Sequence, residues 1–410
     1  MSTGRPLSRR RFLIGAGGLA VAAVAAGCAS DTHRTSGGAS PLVALPEQTP
    51  GLPARQHAWE AYLAKDEFGN AVAPRFDRLL FFNVRGKPTP AYARTLEASL
   101  RELERAYPWS HTGLLFTASW SPDYFERVLR TRSPIPRATG LSEFEQPTID
   151  TYDLCLHLAC DDEARLQTVE RELTGKLSSI LSWRQTRTGF TGAGLPAAHQ
   201  RVSGIPAGDP VSKTTPLFMG FKSSLKKNQA TEDAVTIEGG AFDQGTTMAI
   251  SYMTLSLESW YRDLSYAQRV ALMYSPQTTP ADVAKFTTDA ESNPGQIGQA
   301  IREHGVIGHS QASATARVNN RPLILRRDFD TVDQAQAGLH FVSLQRDIAD
   351  FVKTRTAMNQ AAAQQINPAV TDTVNNGINA FIFVLKRANY LIPSRADRAF
   401  PQLAGRAAVL

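Results

Sequence analysis

The sequence predicts an α+β fold built from ferredoxin-like units, and three observations carry that prediction. Between residues 78 and 189, apolar runs of strand length alternate with amphipathic stretches of helix length in the order β-α-β-β-α-β. A second, looser series of the same kind begins at residue 216. The stretch from 75 to 395 is longer than one ordinary domain, which predicts two units.

Each element has a local reason. Arg78-Leu79-Leu80-Phe81-Phe82-Asn83-Val84 is apolar on both faces and reads as a buried strand. Pro90 suits the first turn of a helix, in which Leu96, Leu100, Leu103 and Tyr107 keep one stripe. Gly113 to Trp120 and Tyr152 to Cys160 read as the next strands, the latter with Leu154, Leu156 and Leu158 on one side. Glu163 to Leu173 reads as a helix and Ile180 to Gly189 as a fourth strand. In the second series, Pro216 to Phe221, Thr246 to Leu257 and Gly338 to Leu344 read as strands. Leu264 to Met273 and Asp347 to Met358 read as helices, and the apolar run Asn376 to Leu385 as a buried helix. The expected organisation is a signal over 1–28, a flexible linker and lead-in over 29–74, units over 75–215 and 216–395, and a tail over 396–410.

The N-terminus reads as a targeting segment. Ser8-Arg9-Arg10-Arg11-Phe12-Leu13 resembles the twin-arginine export signature, and Ile14 to Gly27 is a short apolar stretch of small residues. It is short for a membrane span. Ala25-Ala26-Gly27-Cys28 is similar to a bacterial lipobox, with Cys28 as the lipidated residue; the alternative is an ordinary small-residue cleavage site. The expectation is export by the twin-arginine machinery and anchoring to a membrane through lipid. The net charge is +6, but residues 1–27 hold Arg5, Arg9, Arg10 and Arg11 and no acid, so the remainder carries +2. That balance argues against a nucleic-acid partner. Besides Cys28 there are Cys155 and Cys160, five apart in one expected strand and therefore on opposite faces. They read as small core residues.

The stretch from Gly305 to Asp347 holds the candidate chemistry. His309 lies in an expected polar loop, and Arg326 ends the apolar run Pro322-Leu323-Ile324-Leu325. A neutral imidazole can hold an iron, and a guanidinium stays charged at any working pH. On residue types alone, a loop histidine and a surface cation are the plainer reading, because a single His–Arg pair is weak evidence. His304 is the fallback ligand, and His157 reads as structural. The sequence has no His/Cys cluster of zinc spacing, and Gly192-Ala193-Gly194 and Gly239-Gly240 lack the strand–helix context of phosphate loops.

The order His … Ile-Leu-Arg-Arg … Gly-Leu-x-Phe-x-x-x-Gln-Arg-Asp-Ile, from His309 to Ile348, resembles the C-terminal half of the dye-decolourising (DyP-type) haem peroxidases. The resemblance implies two ferredoxin-like halves packed as a dimeric α+β barrel, with haem b (iron protoporphyrin IX) as cofactor. It implies His309 as the iron ligand and Arg326 as the residue that helps peroxide cleave. It places Gly220, Phe221, Lys222, His340 and Phe341 along the cofactor, although a histidine in an apolar strand, as His340 is, is more often a core or pocket-wall residue. The family's Gly-Phe-Lys-Asp-Gly stretch is matched by Gly220-Phe221-Lys222-Ser223-Ser224, so Ser223 stands where the proton-shuttling aspartate belongs. A serine hydroxyl does not ionise at neutral pH and relays protons only through water. Asp328 and Asp330 are candidate replacements, against the plainer reading that both are solvated turn acids. The function implied is an exported peroxidase using hydrogen peroxide and an organic reductant, with a non-enzymatic haem-binding protein as the alternative. The sequence does not fix whether the chain forms a homo-oligomer.

Overall fold

In the computed structural model, residues 49, 51–192, 217–221, 228–283, 296–360 and 362–405 are described. The expectations for the N-terminal signal, Cys28, Lys222 and Ser223 lie outside these residues. A short hairpin, β1 (Ala64–Lys65) and β2 (Ala71–Val72), leads into the main body.

The first half runs β3 (Phe76–Val84), α1 (Pro90–Ala106), β4 (Leu115–Trp120), a short β5 (Thr148–Ile149), β6 (Leu154–Cys160), α2 (Glu163–Lys176) and β7 (Leu181–Phe190). Its sheet order β7-β3-β6-β4 is antiparallel and ferredoxin-like. The second half repeats the plan with β8 (Thr246–Leu255), β9 (Leu325–Arg326), β10 (Phe329–Thr331), β11 (Gly338–Gln345), α8 (Ile348–Thr356) and β12 (Ile382–Ile392), in the order β12-β8-β11-β9. Between β8 and β9 come α3 (Leu257–Arg262), α4 (Tyr266–Met273), α5 (Pro280–Val283), α6 (Ile297–His304) and α7 (His309–Ala314); α9 (Ala363–Ile366) precedes β12.

The halves join at both edges. Leu391 of β12 pairs with Trp120 of β4, and Asp330 of β10 pairs with Phe190 of β7 while β10 also pairs with β11. The sheet therefore closes into a barrel, as the sequence led us to expect for the fold class. Strand parity explains the core. Leu79 and Phe81 meet Met248, Ile250, Val342, Leu344, Tyr390 and Ile392 in one cluster drawn from both halves, the barrel interior. Leu80 and Phe82 face outward onto Leu96, Leu100 and Leu103 of α1 and Leu166, Val169 and Leu173 of α2. Each such leucine contributes about 1.5–3 kcal/mol when fully buried. The α2 N-cap is Asp162, whose carboxylate accepts from the Arg165 amide at 3.1 Å. Cys155 and Cys160 are free and buried.

Three expected elements differ. Residues 376–385 form a turn and the start of strand β12, where Phe383 is 54 % exposed; an apolar run without a clear period does not separate helix from strand. Residues 217–221 form a turn, with Gly220 at φ +80° and the Tyr261 hydroxyl 2.7 Å from where a Cβ would stand. His309 begins a short helix rather than lying in a loop. Among the described residues, no helix is long and apolar enough to cross a membrane.

Candidate functional site

A cavity opens on the outer face of the second half, with about 1460 Å³ of empty space, its mouth included. Its floor is sheet: Ser251, Met253 and Leu255 of β8, Leu339 and Phe341 of β11, and Ile382 and Val384 of β12. Its walls are His309, Ser310 and Ser313 of α7, Phe351 and Arg355 of α8, and Met219 and Phe221 of the 217–221 turn. Small-molecule sites are mostly apolar with a few convergent polar groups, and the lining of this cavity matches that description.

His309 is clamped by backbone on both sides. Gly308 packs so closely on residue 274 that a Cβ would lie 1.9 Å from the Tyr274 carbonyl oxygen. On the other side, Gly377, at φ +54°, leaves a Cβ position only 2.9 Å from the His309 Cα. The Ile307 amide donates to the Asn375 carbonyl at 2.9 Å, and the Gly377 amide donates to the Ile307 carbonyl at 2.7 Å. Asn376 and Asn379 tie this turn to the end of α8 by donating to the Asn359 and Met358 carbonyls at 3.1 and 2.9 Å. The His309 Nδ1 is buried with no hydrogen-bond partner. Burial, then the Arg326 and Arg355 guanidiniums, push its pKa down to about 4, so the imidazole is neutral at neutral pH and keeps a free lone pair.

Arg326 is held by pairing with Ser343 of β11 and by donating its backbone amide to Gln229 Oε1 at 2.7 Å. It lines the same cavity as His309. Asp328, two residues on, also lines it. Burial raises the Asp328 carboxyl above its ordinary pKa, Arg326 opposes the rise and Asp77 adds to it. Asp330 is buried too and raised well above the ordinary value, first by burial and then by Asp328, against a backbone hydrogen bond from Phe218. Neither is the solvated turn acid that the plainer reading made it.

The remaining expected site residues divide. Phe221 and Phe341 line the cavity, and Gly220 shapes the turn that carries Phe221. His340 does not line it, which corrects its placement along the cofactor. Leu339 and Phe341 share the cavity face of β11, so His340 points the opposite way, with its ring 4.7 Å from Tyr252 and 5.2 Å from Phe329, and Nε2 3.3 Å from Asp333. His304 is exposed on α6 and does not line the cavity. Sequence reasoning missed Glu145, Arg355 and Arg387. Glu145, 1 % exposed in its side chain, accepts from Arg355 Nε at 2.9 Å and from Arg387 Nη2 at 2.7 Å, and both arginines line the cavity. Among the described residues, no group of three or more His, Cys, Asp or Glu side chains could hold a bare metal ion. One neutral histidine in an apolar cavity instead fits a metal carried inside an organic group.

A sequence-family model, described as a family of unknown function (DUF7405), matches residues 74–394. The chain belongs to the DUF7405 family. No curated protein matches it in sequence. Solved structures do match in shape. A putative DyP-type peroxidase from Shewanella oneidensis superposes with a TM-score of 0.56 at 16 % identity, covering 80 % of this chain and 95 % of that one. A dye-decolorizing protein from V. cholerae gives 0.55 at 14 % identity, covering 83 % and 99 %. A variant of DypB from Rhodococcus jostii RHA1 in complex with heme gives 0.55 at 12 % identity, covering 83 % and 96 %. This DUF7405 chain thus has the DyP-type fold, at identities that speak for fold alone.

Proposed function

We propose that this protein binds haem b in the cavity and acts as a peroxidase, reducing hydrogen peroxide with an organic electron donor. The observation that carries the reading is the convergence of His309 and Arg326 on one apolar cavity, with the imidazole held neutral and clamped by backbone. A bound haem supplies an iron that accepts the oxidising equivalents of peroxide and hands them to a reductant. His309 offers its lone pair to that iron, and the Gly308 and Gly377 contacts fix the ring's position. Arg326 holds a permanent positive charge where negative charge develops on the departing oxygen, and the apolar walls strengthen that interaction by excluding water. We further propose export by the twin-arginine route and anchoring through Cys28, which rest on the sequence pattern alone.

The test is the absorption spectrum of purified protein, before and after peroxide. A haem Soret band that changes on adding peroxide and returns with an organic reductant supports the reading. One observation favours a second reading, a haem carrier. The groups that shift His309 are two arginines, and its Nδ1 lacks the carboxylate partner that would make the imidazole a stronger donor. A Soret band indifferent to peroxide favours the carrier.

A further inference from the structure

Among the described residues, guanidiniums outnumber carboxyls on the cavity wall. Among its described lining residues are Arg317, Arg326, Arg355 and Arg387, and Asp328 is the sole acid. Arg355 and Arg387 share the Glu145 carboxylate, which does not line the cavity and offsets one of their two charges. Asp328 is not used up in such a pair: its Oδ1 is buried and has no hydrogen-bond partner. Burying an unpaired carboxyl oxygen costs stability, so a chain that keeps one beside Arg326 needs another reason for it.

We propose that Asp328 is the proton-handling carboxyl of this cavity, working beside Arg326 in the peroxide reaction. The inference rests on the peroxidase reading and adds the acid–base residue to it. The carboxylate would accept the proton from the near oxygen of the peroxide, the one facing the haem that His309 would hold. The same carboxyl would then give that proton to the far oxygen as the O–O bond breaks. The far oxygen would leave as water with the bond's electron pair, and the remaining oxygen would become a second water with two electrons and two protons drawn in the end from the organic reductant and solvent. The groups acting on Asp328 suit a carboxyl that cycles. Burial and Asp77 favour the protonated form, while Arg326 and a backbone hydrogen bond favour the ionised one. General acid–base catalysis is most effective when the group's proton affinity lies near the working pH.

Asp328→Asn in the haem-loaded full chain tests this with two readouts. The first uses cyanide, which arrives as the neutral acid and must give up its proton to bind. The variant is expected to keep its Soret band and to bind cyanide at least tenfold more slowly at pH 7. The second is the pH profile of the peroxide reaction. Its acid limb is expected in the wild type and absent in Asp328→Asn, with the rate down by about 10²–10⁴-fold. Asp330→Asn serves as the comparison, since Asp330 does not line the cavity. Unchanged cyanide association together with an unchanged pH profile in Asp328→Asn overturns the proposal, and so does an equal loss in Asp330→Asn. Wild type that takes up haem but ignores peroxide overturns the peroxidase reading instead, and the cyanide arm still decides Asp328. An Asp328→Asn protein that fails to hold haem is replaced by Asp328→Glu, for which retained cyanide association and a shifted acid limb are expected; loss of both overturns the proposal.

Discussion

Glu145→Gln is the substitution whose cost the structure specifies best. Glu145 bridges two guanidiniums, with Oε1 accepting from Arg355 and Oε2 from Arg387. All three side chains are nearly inaccessible, so the discount applied to surface pairs does not hold here. Glutamine leaves one acceptor oxygen and turns an NH2 donor toward a guanidinium that can only donate. Neither arginine then has a counter-charge, and breaking a buried ionic cluster of this kind costs about 3–5 kcal/mol. That is a large share of a typical stability of about 5–15 kcal/mol. Urea unfolding with an unchanged m value measures it directly. The pH dependence gives a second check. Burial alone would raise the Glu145 carboxyl, but Arg355 and Arg387 outweigh it and hold the carboxyl below its ordinary pKa. Stability from such a group is complete above the unfolded-state pKa and is lost as pH falls through the folded one. The gap between wild type and variant should therefore narrow on acidification. A loss under about 1 kcal/mol at pH 7, or a gap that widens in acid, refutes the reasoning and means that cavity water solvates the arginines.

Arg326→Leu should retain its haem Soret band while its reaction with peroxide slows by about 10²–10³-fold in stopped-flow measurements. Gly308→Ala must displace the backbone of residue 274, since its Cβ would fall 1.9 Å from the Tyr274 oxygen; a loss of about 1–3 kcal/mol by urea unfolding and weaker haem retention are expected. Arg9→Lys combined with Arg10→Lys should leave precursor in the cytoplasm, and Cys28→Ala should abolish membrane association, both read by fractionation and immunoblot.

The strands of the first half were legible because each is short, apolar and bounded, and its helices keep a clean stripe from Leu96 to Leu103. His309 and Arg326, singled out from one continuous stretch, both line the cavity. Glu145 was not legible. It is 210 positions before Arg355 and 242 before Arg387, and it reaches them because β5 runs parallel to β12, pairing Thr148 with Lys386. No local pattern encodes such a pairing. His340 and Phe341 were placed together along the cofactor, although neighbours in a strand face opposite ways; strand parity keeps Phe341 and removes His340. The run from Asn376 carried apolarity without period, and its turn proved to be the piece that clamps His309.

The location of the site follows from an asymmetry between two halves of one plan. In the first half, α1 and α2 lie directly on the sheet, and Leu80, Phe82, Leu96 and Leu166 fill the space between. In the second half the matching crossover, from Ser256 to Ile324, is far longer and is broken into several short helices. Short helices cannot cover a sheet face as α1 does, because each buries a turn or two at most. Ser251, Met253 and Leu255 of β8 therefore look into a cavity instead of a helix. The same crossover delivers His309 at the start of α7, the strand β9 that follows it delivers Arg326, and the link from β9 to β10 delivers Asp328. The uncovered face and His309 thus belong to this one crossover, while Arg355 and Arg387 reach the cavity from α8 and β12. A functional reading of this fold therefore belongs to the second half, while the first half holds the barrel closed and lends Glu145 to fix the charge behind the wall.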